Sequence, residues 1–334
     1  MIPYAPYTFL ICGLILVPAL LFWLCRMAGR RYHRPRTGRI AGWALVILVW
    51  YVVIYGSTIG FQRLNVNRQT YHSADLPKSF DGYRIVLFSD AHVGSYGSSQ
   101  QWVLQQAVDS INAQRPDLIV FAGDLQNIEP AEIEQHVSVL RQLHAKDGIF
   151  SVLGNHDYDM YFRGTEEQKA TNCQKTIQLQ RQMGWTVLLN EHRSIQRGDS
   201  RIIIAGMEND GPEGGRFPQK GDIRRTLDAT NSATEAQQTL TATDFILMLE
   251  HDPSCWRRKI VTDGRAQLTL SGHTHDMQFR LAGWSPMDWS GKEWNGWYRE
   301  GQQSLYVTAG LGGLIPFRFG ATGEIVVLTL KRNG

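Results

Sequence analysis

Two histidines lie two residues apart in the segment SGHTHD at positions 271–276, directly after the apolar run AQLTL. In an extended segment, side chains two residues apart point in the same direction, so His273 and His275 can face one point in space. A bound metal ion is the most common reason for such a pair, and a polar turn is the alternative. The polar residues that follow the other apolar runs decide between these two interpretations.

Five β-rich runs end in Asp, Asn or His where the apolar stretch gives way to a turn: RIVLFSD, DLIVFAGD, GIFSVLGNHD, DFILMLEHD and AQLTLSGHTH. The residues at these ends are Asp90, His92, Asp124, Asn155, His156, Asp157, His251, His273 and His275. A turn cap or a core histidine explains each one alone. Because loops that carry ligands gather at the carboxyl ends of the strands in α/β sheets, their recurrence at the same position favours one metal-binding cluster.

The ligand types indicate which metal chemistry this cluster supports. Oxygen and imidazole donors without thiolate suit manganese, iron or zinc at a hydrolytic centre, and no CxxC motif suggests a structural zinc site. The donors are too many for one ion, and one aspartate lies in the middle of the series. Two metals that share a carboxylate, about 3.5–4 Å apart, satisfy both features.

The alternation of strands with helical patterns predicts an α/β fold with layers. The periodic residues Leu104, Ala107, Val108 and Ile111 predict one such helix, with Ser98 and Ser99 as possible caps. The polar segment 62–84 is predicted to be a connector, and residues 85–334 the catalytic domain.

The ordered set SDAH, GD, GNHD, H and GHTH resembles the calcineurin-like metallophosphoesterase superfamily over roughly residues 77–330. Within that superfamily the chain is similar to bacterial membrane-anchored enzymes, some of which act on UDP-2,3-diacylglucosamine. The resemblance implies a four-layer αββα sandwich and a dinuclear phosphoesterase. It implies one metal held by Asp90, His92, His275 and Asp124, and a second metal held by Asp124, Asn155, His251 and His273.

The resemblance also implies roles in the reaction. A hydroxide between the metals is the nucleophile, His156 protonates the leaving alkoxide, and Asp157 orients the ring of His156. Arg318 and the metals stabilise charge on the phosphoryl oxygens. Related sequences usually have Gly-Gly-Gln after GHTH, where this chain has DMQ, and often an aspartate at the position of Asn127. These differences concern substrate specificity rather than the class of reaction.

The first 61 residues predict a transmembrane hairpin. Residues 7–25 and 40–61 carry no charge and are each long enough, at about 1.5 Å per residue, to cross a bilayer. We therefore predict helices over about 7–26 and 40–61. The start MIPYAPY lacks the basic leader of a signal peptide. The six arginines between the helices predict a cytoplasmic loop, which places the catalytic domain on the outer face of the cytoplasmic membrane.

Charge and topology together restrict the partners. Removing the six hairpin arginines from the 34 basic residues leaves 28, against 31 acidic residues, so the domain is slightly acidic and a nucleic-acid partner is not expected. A membrane-tethered site favours substrates that share the membrane, so we predict a lipid-linked phosphate or diphosphate. The cytoplasmic nucleotide-linked lipid UDP-2,3-diacylglucosamine conflicts with the predicted orientation. A silent scaffold and a nuclease are the alternatives; the complete ligand set argues against the first.

Two features remain open at the level of sequence. Cys173 and Cys255 are the cysteines of the soluble part, and an oxidising compartment would permit a disulfide between them. The segment GWSPMDWSGKEWNGWY contains four tryptophans, Trp284, Trp289, Trp294 and Trp297. They can form a wall for a lipid or sugar, a membrane-interface patch, or the small core of a long loop. We favour the last, because such a loop needs its own core.

Overall fold

A computed structural model describes residues 5–97, 100–228, 239–291 and 293–333. Ser98 and Ser99, predicted as helix caps, lie outside the described residues. The helix that follows them, α4, spans Gln101–Ala113. The other helices are α1 (Ala5–Ile11), α2 (Val17–Arg31), α3 (Pro35–Tyr55), α5 (Ala131–Glu134), α6 (Val137–Leu140), α7 (Glu166–Gln182), α8 (Ile223–Leu227) and α9 (Val261–Asp263).

Two six-stranded sheets form the centre of the domain. The first has the order β1-β12-β2-β3-β4-β5 and the second β10-β11-β9-β8-β7-β6. Strands of the first sheet are β1 (Leu64–Ser73), β2 (Arg84–Phe88), β3 (Leu118–Phe121), β4 (Ile149–Ser151), β5 (Thr186–Val187) and β12 (Gly323–Arg332). Strands of the second are β6 (Glu191–Arg197), β7 (Ser200–Gly206), β8 (Phe245–Leu249), β9 (Leu268–Ser271), β10 (Gly296–Glu300) and β11 (Gln303–Val307).

The alternation of side chains along each strand builds the layers. In β2, Ile85 and Leu87 belong to the apolar cluster between the sheets, whereas Val86 and Phe88 belong to the cluster beneath α4. Both faces of these strands are therefore buried, which explains their continuous apolar runs. Trp256 and Ile260 cover the outer face of the second sheet. The arrangement confirms the predicted four-layer αββα sandwich.

The predicted connector is wrong for most of its length. Residues Leu64–Ser73 form β1, which pairs in parallel with β12 along all ten residues. The sequence NVNRQTYHS has few apolar residues, because β1 is an edge strand whose stability depends on its pairing with a distant strand. As a consequence, the first strand of the domain begins at Leu64, two residues after Gln62, the last helical residue of the hairpin.

The N-terminal hairpin, residues 5–60, contains two helices long and apolar enough to cross a membrane, Thr8–Arg31 and Pro35–Gly60. Both extend further into the arginine segment than predicted, since arginine is a good helix former outside the bilayer. The helices pack closely at two glycines, because a Cβ on Gly38 would lie 2.8 Å from the Cα of Gly29.

The loop 314–320 joins the hairpin to the domain. The ring of Phe317 lies 4.8 Å from that of Phe9, and the backbone N–H of Arg318 donates to the carbonyl of Gly56 at 2.9 Å. The ring of Phe319 contacts Tyr51 and Tyr55 of α3 at 6.3 and 5.8 Å. The hairpin and the catalytic domain are therefore in direct contact.

Candidate metal centre

The predicted ligands lie where strands of both sheets end. Asp90 follows β2, Asp124 follows β3 and Asn155 follows β4, while His251 follows β8 and His273 follows β9. The strands β2, β3 and β4 are parallel to one another, as are β8 and β9, so the carboxyl ends within each sheet share one edge. The two edges meet, and the structure brings all seven predicted ligands together in two groups.

The first group consists of Asp90, His92, Asp124 and His275, whose donor atoms all lie within 4.8 Å of one another. The Nε2 atoms of His92 and His275 are 3.1 Å apart. Nε2 of His275 lies 3.3 Å from Oδ1 of Asp90, and Nε2 of His92 lies 3.7 Å from Oδ2 of Asp124. Two imidazoles and two carboxylates thus face one point.

The second group consists of Asp124, His251 and His273, and Asn155 adjoins it. Nε2 of His251 lies 3.2 Å from Oδ2 of Asp124, and Nδ1 of His273 lies 3.3 Å from Nε2 of His251. The amide oxygen of Asn155 is 2.9 Å from Nδ1 of His273. Asp124 belongs to both groups, and His273 and His275 belong to different ones.

The chemistry of this donor set fits two divalent cations. The converging atoms are carboxylate and amide oxygens and imidazole nitrogens, and all of them offer lone pairs. Asp90, His92, Asp124 and His251 are fully or almost fully buried. Such a concentration of buried donors costs free energy unless a cation lies among them. The mixed oxygen and nitrogen set suits manganese, iron or zinc.

Electrostatic shifts show how strongly these groups interact. Burial disfavours a charged His251, yet the carboxylates of Asp124 and Asp90 raise the pKa of His251 to about 10. Burial also opposes ionisation of Asp124, yet His251 and His156 hold the pKa of Asp124 well below its usual range. Burial raises the pKa of Asp90 to about 7, with a further contribution from Asp124. Binding of a cation by His251 would require the imidazole to be neutral.

The backbone of the centre is strained. Five of the predicted ligands have positive φ angles, which residues other than glycine rarely adopt: Asp90 (52°), His92 (43°), Asp124 (61°), His273 (76°) and His275 (52°). Each such residue costs about 1–3 kcal/mol and persists only where the surrounding structure enforces it. Strain of this kind is concentrated at functional sites, so its clustering here supports a functional role for the edge.

Gly272 is required by close approach. A Cβ at this position would lie 2.0 Å from Oγ of Ser89 and 2.4 Å from Oδ2 of Asp90. The backbone N–H of the next residue, His273, donates to both carboxylate oxygens of Asp90 at 3.0 and 3.1 Å. The absence of a side chain at Gly272 therefore lets the GHTH segment position Asp90.

His156 lies beside the predicted ligands and lines the cleft above them. Its Nδ1 atom is 2.5 Å from the backbone carbonyl of Asn127, which accepts a hydrogen bond from it. Burial lowers the pKa of His156. The second ring nitrogen, Nε2, is then the atom that can exchange a proton.

The prediction that Asp157 orients the ring of His156 is wrong. The carboxylate of Asp157 accepts hydrogen bonds from the backbone N–H groups of Asp124 (2.9 Å), Leu125 (3.0 Å) and Gly154 (2.9 Å). Asp157 therefore holds the loops after β3 and β4 together, and the carbonyl of Asn127 orients the histidine instead. The adjacency of Asp157 to His156 in the sequence gave no information about the direction of its side chain.

The prediction that Arg318 stabilises phosphoryl oxygens is also wrong. Its side chain is completely buried. The guanidinium donates to the backbone carbonyls of Ala309, Gly310, Gly312, Ala321 and Thr322. All three guanidinium nitrogens are engaged in these bonds, so Arg318 stabilises the segment 309–322 and is not available to a ligand in the cleft.

A cleft of about 340 Å³ opens above the two groups. Its lining includes Asp124, Asn155, His156, His273 and His275, together with Met277 and Gln278 of the DMQ segment. It also includes residues that the sequence analysis did not single out: Tyr161, Arg216, Phe217, Leu314 and Ile315. Arg216 is exposed, with its guanidinium 5.1 Å from the ring centre of Phe217. It lies in GPEGGR, which reads as a turn and carries no signal for a site.

Asp252 is a further residue without an assigned role in the sequence. Its Oδ2 lies 3.8 Å from Nε2 of His273, on the far side of the ring from Asn155. Burial lowers the pKa of His273, and this carboxylate opposes that shift electrostatically across a distance too long for a hydrogen bond. The position directly after His251, in the run LEHD, is the signal that could have identified it.

The tryptophans of the segment 284–297 divide into two pairs. Trp297 stacks on Tyr71 at 5.9 Å, and the guanidinium of Arg280 lies 5.5 Å from the ring centre of Trp294. Trp284 and Trp289 contact each other at 5.1 Å, and both are exposed, as is Trp297 beside its stacking contact. The loop thus packs some of its tryptophans onto the domain, but not all. Cys173 and Cys255 are both unpaired and belong to different apolar clusters.

Comparison with known proteins identifies the family. Residues 83–277 match the family model for calcineurin-like phosphoesterases. The chain is 32% identical over 321 residues to YkuE of Bacillus subtilis, named an uncharacterized metallophosphoesterase, covering 92% of this chain and 98% of that protein. It is 27% identical over 298 residues to a Danio rerio transmembrane protein with a metallophosphoesterase domain, covering 86% of this chain and 62% of that protein.

Two further similarities are more restricted. A stretch of 103 residues is 38% identical to UDP-2,3-diacylglucosamine pyrophosphatase LpxG of Chlamydia trachomatis, covering 29% of this chain and 30% of that protein. The crystal structure of phosphopantetheinyl hydrolase from Mycobacterium tuberculosis aligns with a TM-score of 0.43 and 13% identity, over 71% of this chain and 91% of that chain. By its family model and its full-length similarity, the chain belongs to the calcineurin-like phosphoesterases, which are metal-dependent enzymes with a dinuclear centre.

Proposed function

We propose that this protein is a membrane-anchored dinuclear phosphoesterase that hydrolyses an amphipathic, lipid-linked phosphate or diphosphate. The observation that carries the reaction class is the position of Asp124, which belongs to two groups of donors at the floor of an open cleft. In this proposal Asp90, His92 and His275 complete one metal site, and Asn155, His251 and His273 complete the other. The bound metals supply Lewis acidity and activate water.

His156 is proposed as the residue that transfers a proton to the leaving group. The Asn127 carbonyl holds Nδ1, which fixes the ring and leaves Nε2 to carry the exchangeable proton. The ring packs against Tyr161 at 4.4 Å, so it cannot rotate freely in the cleft. This arrangement supports a fixed general acid next to the place where a phosphoester would lie.

Arg216 is proposed to contact the phosphoryl group or a neighbouring phosphate. It lines the cleft and is exposed, whereas Arg318 is enclosed by carbonyls. Its contacts with Phe217 and Tyr161 direct the guanidinium across the cleft without neutralising its charge. A guanidinium in this position can form two parallel hydrogen bonds with phosphate oxygens.

The apolar wall of the cleft supports a lipid-linked substrate. Leu314 and Ile315 line the cleft and begin the loop 314–320, which packs against the hairpin through Phe317. Ile315 and Phe317 are two residues apart, or at most about 7 Å of chain. The cleft therefore opens close to the end of the hairpin, where a lipid in the same membrane can reach it. The name of the LpxG relative, a pyrophosphatase of a diacylated sugar nucleotide, agrees with such a substrate.

The six arginines support the orientation. Arg26, Arg30, Arg31, Arg34, Arg36 and Arg39 are all exposed at the end of the hairpin opposite the domain. Cytoplasmic loops are enriched in such residues, so we propose that the catalytic domain lies on the outer face of the cytoplasmic membrane. An alkaline-phosphatase fusion at the C-terminus should be active and a cytoplasmic reporter silent. The reverse result would restore the cytoplasmic nucleotide-linked lipid as the favoured substrate.

Activity is tested with the full chain in lipid nanodiscs. With manganese, the protein should hydrolyse a chromogenic phosphodiester, and a chelator should abolish turnover until metal is returned. The substrate class is then tested with a matched pair, a long-chain lipid phosphoester and its short-chain, water-soluble analogue with the same headgroup. We expect higher turnover of the long-chain form. Full metal loading without turnover of either would instead indicate a binding role.

A further inference from the structure

An exposed apolar surface lies beside the cleft and outside the hairpin. Four side chains form it: Met277, Leu281, Trp284 and Trp289, with exposed fractions of 55%, 56%, 39% and 80%. We call this set the aromatic patch. Single exposed apolar residues are ordinary, but several large ones on one short segment mark a contact with a partner or a membrane.

The segment that carries the aromatic patch is held by its own hydrogen bonds. Leu281 and Trp284 form a reciprocal backbone pair, with N–H to O distances of 2.9 and 3.0 Å. Ser285 begins a short helical turn, Pro286–Ser290, and forms a capping box with Asp288. Trp289 lies in this turn and contacts the ring of Trp284 edge-on. The side chains are therefore exposed on a well-bonded segment.

Aromatic rings connect this segment to the hairpin. Phe279, two residues before Leu281, stacks on Phe319 at 5.5 Å, and the N–H of Arg280 donates to the carbonyl of Phe319 at 2.7 Å. Phe319 in turn contacts Tyr55 of α3. Phe279 therefore contacts the hairpin indirectly, through Phe319. Met277 and Leu281 of the aromatic patch are each two residues, or at most about 7 Å of chain, from Phe279.

Tyr55 indicates the depth of this contact in a membrane. It lies in the C-terminal part of the membrane-length helix Pro35–Gly60, and its hydroxyl accepts a hydrogen bond at 3.1 Å from Nη1 of Arg63, three residues beyond that helix. Tyrosine and arginine at the end of an apolar helix mark the boundary between hydrocarbon and headgroups. With this boundary at the lipid headgroups, the contact between Phe319 and Tyr55 brings the start of the aromatic patch to the same level.

We propose that the aromatic patch inserts into the headgroup region of the bilayer that holds the hairpin, as a second membrane contact of the catalytic domain. Tryptophan suits this depth because its ring is apolar and its N–H donates a hydrogen bond. Met277 belongs to the aromatic patch and also lines the cleft, so insertion places the mouth of the cleft at the membrane surface. The inference rests on the proposed hairpin anchor but not on the identity of the substrate.

The test uses the full chain labelled with 5-fluorotryptophan in lipid nanodiscs. Each of the ten tryptophans then gives its own fluorine signal, and Trp284→Phe, Trp289→Phe and Trp297→Phe assign three of them. Trp297 is the matched control, since its exposed fraction, 37%, equals that of Trp284 within two percentage points. Its Nε1–H donates to the side chain of Gln69. Gln69 is five residues, or about 17 Å, along β1 from Leu64, where the strand leaves the hairpin, so Trp297 should lie away from the membrane.

The measurement compares nanodiscs with and without a lipid that carries a nitroxide just below the headgroup. We expect the signals of Trp284 and Trp289 to be lost to paramagnetic broadening, and that of Trp297 to remain. Trp23, Trp43 and Trp50 of the hairpin, assigned by the same substitution to Phe, report separately on the anchor, because they should broaden whether or not the aromatic patch inserts.

Three results would overturn the proposal. Signals of Trp284 and Trp289 as sharp as that of Trp297, with the hairpin signals lost, would show that the aromatic patch does not touch lipid. Sharp hairpin signals would show that the anchor itself is absent. Shifts of the Trp289 signal that follow the number of protein copies per nanodisc, without broadening, would assign the aromatic patch to a second copy of the chain.

Discussion

Arg318 should contribute to stability and Arg216 to phosphate binding. The variants Arg318→Lys and Arg216→Gln distinguish these two roles. Arg318→Lys replaces a planar group that donates to five carbonyls by an ammonium with three donors at one point. At least two buried carbonyls then lose a charged donor, and each such hydrogen bond is worth about 1.5–3 kcal/mol. Because the site is completely buried, solvent screening does not reduce this value. We expect a loss of about 3–6 kcal/mol in the free energy of unfolding.

The variant Arg216→Gln is the control: it should change phosphate binding and leave stability unchanged. Its side chain is exposed and lines the cleft, so stability should remain within about 0.5 kcal/mol of the wild type. Loss of one charged contact with phosphate should weaken inhibition by inorganic phosphate about tenfold. Chemical unfolding of the metal-loaded protein and amide hydrogen exchange of residues 309–322 measure the first quantity, and phosphate inhibition measures the second. If Arg318→Lys keeps its stability but loses phosphate inhibition, the structural assignment of Arg318 is refuted.

Further variants test individual atoms of the centre. Asp124→Asn should lose metal and nearly all turnover with the fold retained, because this carboxylate belongs to both donor groups; near-normal activity with a full metal complement would contradict a dinuclear site. His156→Ala should keep both metals and lose more rate on alkyl leaving groups than on nitrophenolate, which needs no proton; equal loss on both would remove the general-acid role. Gly272→Ala should lower the metal content because the new Cβ displaces Asp90. The control Gly97→Ala, which has open space around it, should not. Unchanged metal content in Gly272→Ala would show that the loop moves to accommodate the methyl group.

Much of the centre follows from the sequence because its ligands occupy equivalent positions in successive strands. A buried strand needs a continuous apolar run, and the residue after it is the first that can be polar. The carboxyl ends of parallel strands share an edge, so Asp90, Asp124 and Asn155 had to lie near one another once their strands paired. The layered fold and the apolar hairpin follow from equally local patterns: short continuous apolar runs in the strands, helical periodicity between them, and long uncharged runs in the hairpin.

Residue types and their order along the chain were therefore determined by the sequence alone, including the complete set of oxygen and nitrogen donors. Side-chain partners across long separations were decided only by the tertiary structure. The sequence around Arg318 is the same whether the side chain points into the cleft or towards the carbonyls of residues 309–322. The packing of that segment around the guanidinium determines which of the two occurs. Asp157 bonds N–H groups more than 30 residues away, and β1 exists through its pairing with β12. These contacts depend on how distant segments pack, and local propensity contains no record of that packing.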